Sequence, residues 1–69
     1  MDNSRPMDKS VLEARVRQLM AVDRNAADIY QDLAGLFPDE PTKAMLQKLS
    51  QEERGHVGMC RTILSILQE

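Results

Sequence analysis

One break interrupts an otherwise continuous helical pattern, and it limits this chain more than any other feature. From Ser10 to Leu36 there is no proline and a single glycine, Gly35, near the end. The cluster Phe37-Pro38-Asp39-Glu40-Pro41 follows, and no proline occurs after it. A residue preceding proline is pushed out of the α region, so a first helix must stop at or before Phe37. Asp39 suits an N-cap, and Pro41 is tolerated in a first helical turn. The Ser-x-x-Glu pattern of Ser10-Val11-Leu12-Glu13 is that of a capping box and predicts a helix start near Ser10. The expected organisation is a flexible N-terminal tail over 1–9 and a helical hairpin over 10–69. Within the hairpin, one helix covers about 10–36, a turn covers 37–40, and a second helix covers about 41–67.

Both predicted helices carry a heptad-like stripe. In the first it is Leu12, Val16, Leu19, Asp23, Ala26, Tyr30, Leu33 and Phe37; in the second it is Leu46, Leu49, Glu53, His56, Cys60, Ile63 and Leu67. Alternating steps of three and four residues put each set on one helix face. Met20, Ala27, Val57 and Leu64 widen one edge of these stripes, and Met45, Met59 and Ile66 widen the other. The apolar content is mainly Leu, Met, Ala, Val and Ile, with one Phe, one Tyr and no Trp, which favours helix packing over a β-sandwich.

The fold class is therefore all-α, an antiparallel two-helix hairpin. A hairpin alone leaves half of each stripe in water, whereas two hairpins form a four-helix bundle. A chain of 69 residues rarely draws more than ~3–5 kcal/mol from one core. Its single cysteine excludes an internal disulfide. Self-association, metal binding or both are the remaining staples. At least a homodimer is expected, and a higher ring of dimers is compatible with the pattern.

The charge narrows the function classes. The net charge is −2, with acids and bases interspersed and no basic run interleaved with aromatics, so nucleic acid is not an expected partner. No apolar stretch approaches the ~20 residues that span a bilayer. The N-terminal residues lack the apolar core of a signal peptide, which gives a cytoplasmic expectation.

The stripes are apolar except at one level, where Asp23 interrupts the first and Glu53 and His56 interrupt the second. Asp23 and Glu53 each lie about 15 residues from the turn, or ~22 Å at 1.5 Å per residue, so an antiparallel hairpin sets them side by side. Glu53 and His56 are i and i+3 neighbours on one face. Buried charges need partners. A two-fold axis through this layer would assemble four carboxylates and two imidazoles. A Glu from each of two helices with a Glu-x-x-His from each of two others is the ligand set of di-iron and di-manganese carboxylate proteins.

At these residues the chain resembles a known family. Asp23-x-x-Ala26-x-x-x-Tyr30, then Leu33-Ala34, then Glu52-Glu53-x-x-His56 is similar to half of the ferritin-like superfamily. Rubrerythrin-type domains and encapsulated ferritins carry Glu-x-x-Ala-x-x-x-Tyr on one helix and Glu-x-x-His on the next. The resemblance covers roughly 12–67, and encapsulated ferritins are the nearer parallel, being mostly two-helix hairpins with a di-iron site between subunits. It implies a ferroxidase that oxidises Fe(II) to Fe(III) with dioxygen or peroxide. In that reading Glu53 bridges two irons, His56 is a terminal ligand, and Asp23 replaces the first-helix Glu. Tyr30 supports the cofactor site from behind the ligands. Manganese suits the same ligand set. An encapsulin shell also enters as a partner, although no targeting peptide is seen. Asp23 is one methylene shorter than the family's Glu, and the cysteine pairs of a rubredoxin domain are absent from the sequence.

A non-catalytic alternative stands beside this one: a polar layer that only sets register in a helical oligomerisation module, or a metal-sequestering subunit. Glu52 is expected to be solvated, Cys60 to be a small buried apolar residue, and Tyr30 to place its hydroxyl on a carboxylate. Met20, Met45 and Met59 are read as packing residues, and Asp28 and Asp32 as solvated. Gly55 and Gly58 face away from the stripe, where they are either simply tolerated or admit a second dimer.

Overall fold

A computed structural model describes residues 8–69. The tail expected over 1–9 falls outside the described residues as far as Met7. Asp8 and Lys9 already belong to the first helix and its cap. Helix α1 spans Lys9–Leu36 and α2 spans Glu40–Leu67, each of 28 residues, or about 42 Å long. They pack against each other as an antiparallel hairpin, with no strand among the described residues. None of the described helices is long and apolar enough to cross a membrane.

The caps show why the helices begin and end where they do. Asp8, not Ser10, caps α1: its carboxylate accepts from the Ser10 N–H at 2.8 Å and from the Ser10 hydroxyl at 2.7 Å. Asp8 lies two residues before Ser10, and its carboxylate satisfies a free N–H of the first turn. The expected start near Ser10 is thus displaced by a residue. At the other end, Phe37 is extended (φ −88°, ψ 132°), as the following Pro38 requires, and its N–H closes the last turn on the Leu33 carbonyl at 3.3 Å. Asp39 caps α2 by accepting from the Thr42 N–H at 3.1 Å, and Pro41 lies in the first turn. The loop is therefore only Phe37, Pro38 and Asp39.

The seam between the helices is narrower than the stripes and lies at one of their edges. Ala27, Ala34, Ser50, Val57, Cys60 and Leu64 are the buried residues. Ala27, Val57 and Leu64 belong to the edge and Cys60 to the stripe, while Ala34 and Ser50 lie on neither. Small residues face one another here, and the helices come close enough for the buried Ser50 hydroxyl to donate to the Ala27 carbonyl of the other helix at 2.8 Å. No buried side-chain nitrogen or oxygen among the described residues lacks a partner.

The rest of the apolar surface stays open. Leu19, Val22, Ile29, Met45, Met59, Ile63 and Ile66 are between 45% and 63% exposed. The hairpin is a single layer of helices, 14 Å across its thinnest direction, little more than the ~10–12 Å diameter of one helix. A layer that thin has one seam and no interior.

Candidate metal centre

The ligand layer arises from register. With Ser50 against Ala27, moving four residues toward the N-terminus on α1 reaches Asp23. Moving three and six residues forward on α2 reaches Glu53 and His56. One ligand atom from each of these three residues lies within 4.8 Å of the other two. The structure thus brings together the three residues that the stripes single out. Asp23 and Glu53 are half-buried and His56 is exposed. Within the layer, His56 Nδ1 sits 3.3 Å from Glu53 Oε1; the two side chains are 52% and 21% exposed.

This geometry admits a metal ion. Two ligands on opposite sides of one divalent ion, each at ~2.1 Å, lie about 4.2 Å apart. Atoms spread over no more than 4.8 Å need only a small contraction, and the exposed imidazole is free to rotate. Two carboxylates and one imidazole are a donor set suited to iron or manganese. Three protein donors fill half of an octahedral ion, so the remaining positions fall to water, oxygen or a second chain.

The layer opens onto an apolar groove of about 320 Å³ lined by Leu19, Asp23, His56, Met59, Cys60 and Ile63. Its walls are the exposed part of the stripes. Cys60 is buried at its floor, 4% exposed, as a small apolar residue would be, and it is not among the clustered ligands. Glu52 is exposed. Tyr30 is half-buried, and no described residue receives or gives a hydrogen bond at its hydroxyl, so the expected contact with a carboxylate is not made within one hairpin. Asp28 is exposed but pairs with Arg54 across the helices at 3.4 Å. A Cβ added at Gly55 or Gly58 would meet nothing within 4 Å, so packing inside the hairpin does not require either glycine.

No protein-family model, no curated protein and no solved structure matches this chain. The chemistry open to the site therefore follows from its own residues. The residue that sequence reasoning missed is Ser50, whose cross-helix hydrogen bond sets the register of the layer. The signal for it is the seven-residue repeat Ser50, Val57, Leu64 on α2, matched by Ala27 and Ala34 seven apart on α1.

Proposed function

We propose that the chain is a ferritin-like di-iron carboxylate protein that oxidises Fe(II) to Fe(III) at a site completed by a second copy. The observation that carries this reading is the meeting of Asp23, Glu53 and His56 at one level, beside a groove whose walls are exposed apolar side chains. Two such hairpins, face to face about a two-fold axis, bury those walls in a four-helix bundle and join two half-sites. Fe(II) is the substrate. With dioxygen, two Fe(II) and two protons give two Fe(III) and hydrogen peroxide, so electrons and charge balance. In this reading the Glu53 carboxylates of the two chains would hold the pair of ions, and their negative charge would favour the Fe(III) product. His56 and Asp23 each hold one ion. Tyr30 lies two turns from Asp23, behind the ligands.

The test is an anaerobic Fe(II) titration combined with native mass. The expected result is a dimer holding about two irons, with oxygen-dependent oxidation, and loss of iron from Glu53→Ala. Wild-type stoichiometry in Glu53→Ala would sink the assignment.

One observation favours a second reading. Glu53 and His56 contact each other directly at 3.3 Å, as in a polar layer that only specifies pairing. In that case the chain is a non-catalytic oligomerisation or metal-sequestering module. A chelator would then change neither native mass nor melting temperature, whereas an ion bound only by the folded dimer raises stability by mass action.

A further inference from the structure

The two helices leave a second groove on the other side of the seam, and its chemistry is opposite. Where Cys60 floors the apolar groove, Val57, three residues earlier, floors a concavity of about 180 Å³ whose other lining residues are Arg24, Arg54 and Arg61. Arg17, seven residues before Arg24, extends the rim along α1. Arg54 and Arg61 are likewise seven apart on α2. Four of the nine basic residues of a chain with net charge −2 thus gather on one flank.

A purely structural role does not account for this arrangement. Residues flanking a helix–helix seam normally pair opposite charges across it. Here Arg24 of α1 and Arg54 and Arg61 of α2 line one concavity, and like charges gathered there repel one another. The one carboxylate that answers them is Asp28, on Arg54 at 3.4 Å, with both side chains more than half exposed. Among the described residues, neither Arg24 nor Arg61 forms an ion pair. Guanidinium groups present a planar fork of N–H donors matched to phosphate oxygens. Converging three of them over one apolar floor makes a pocket for a compact anion with several charged oxygens.

We propose that Arg24, Arg54 and Arg61 form an oxyanion site for a ligand of the phosphate class, separate from the carboxylate layer and independent of metal. The probes are inorganic phosphate and pyrophosphate, titrated calorimetrically into the chelator-treated full chain at constant ionic strength, so that no iron competes for the anion. Saturable binding of one anion per hairpin is expected. Arg24→Gln and Arg61→Gln should each weaken it about tenfold or more, as loss of a charge-assisted hydrogen bond implies, while Lys48→Gln, outside the groove, leaves it unchanged. In anion-free buffer the two arginine variants should melt no lower than the wild type, because removing either relieves repulsion. Three results would overturn the proposal: heats no different from sodium chloride at equal ionic strength, equal weakening by Lys48→Gln, or a lower anion-free melting temperature in both arginine variants, which would mark the arginines as structural.

Discussion

The open apolar face makes a prediction whose size can be worked from exposure. Ile29 is 50% exposed in the isolated hairpin. Full burial of an isoleucine side chain stabilises by ~1.5–3 kcal/mol, so replacing it costs the hairpin about 1 kcal/mol. If a second copy covers the face, Ile29→Asp places a carboxylate in the interface twice, once per chain by symmetry. Taking ~3 kcal/mol for each uncompensated polar burial, the pairing loses about 6 kcal/mol, or roughly a ten-thousand-fold rise in dimer dissociation constant. Ile29→Ala removes the same apolar contact without the charge and should weaken pairing far less. The assay is sedimentation equilibrium of the three proteins at matched concentrations, with circular dichroism reporting helix content. The expected outcome is a wild-type dimer, a weakened dimer for Ile29→Ala, and a monomeric Ile29→Asp. The reasoning is refuted if Ile29→Asp sediments as the same assembly as the wild type. It is equally refuted if the wild type stays monomeric with and without Fe(II).

Other outcomes follow from the seam and the caps. Ala27 is fully buried against α2, so Ala27→Leu should cost ~1–3 kcal/mol by overpacking and also weaken Fe(II) binding by spreading the ligand layer. Ala34→Leu, further from the ligands, should cost a similar amount in denaturant melts yet leave the metal affinity nearer to wild type. Ser50→Ala deletes the buried hydroxyl that donates to the Ala27 carbonyl and should cost about 0.5–1.5 kcal/mol. The hydrogen bonds that Asp8 and Asp39 accept from Ser10 and Thr42 hold both carboxyls below their ordinary value of 3.8. Because the folded value is the lower one, both contribute stability above the unfolded value and lose it as pH falls through the folded value. Helix content should therefore drop below about pH 3.8. Asp39→Asn, which caps without titrating, should keep its stability at neutral pH and shed its share of the acid dependence, as acid melts followed by circular dichroism would show.

Much of this was legible from local rules. Pro38 stops α1 because of its steric effect on Phe37, and Asp39 starts α2 because a short carboxylate reaches a free N–H. Counting residues from that turn placed Asp23 beside Glu53 and His56. What the pattern did not reveal was which edge of each stripe forms the seam. Hydrophobic spacing treats Leu19, Leu33 and Ile63 as better core than Ala27 or Ser50. Within one hairpin the reverse holds, because small residues let the helices close while the bulky ones remain for another surface. The cap at Asp8 escaped the pattern because Ser10 matched a longer motif, whereas the carboxylate two residues earlier accepts from the Ser10 N–H itself.

The seam and the ligand layer are best understood together. A helix pair packed through leucines holds its axes ~8–10 Å apart, and Asp23, with one methylene fewer than Glu, would then reach poorly across. Here Ala27, one turn from Asp23, carries no side chain beyond Cβ, and Ser50, less than one turn from Glu53, touches the facing backbone at 2.8 Å. In the proposed reading the narrow seam would offset the short acid, the helices' proximity making up for what Asp23 lacks in length. A narrow seam also buries little: five apolar residues and one serine. The same substitution pattern that lets the ligands meet therefore leaves the hairpin short of a core. That shortfall is greatest on the face where Leu19, Met59 and Ile63 frame Asp23 and His56, so covering it with a second chain would complete the core and the metal layer in one step.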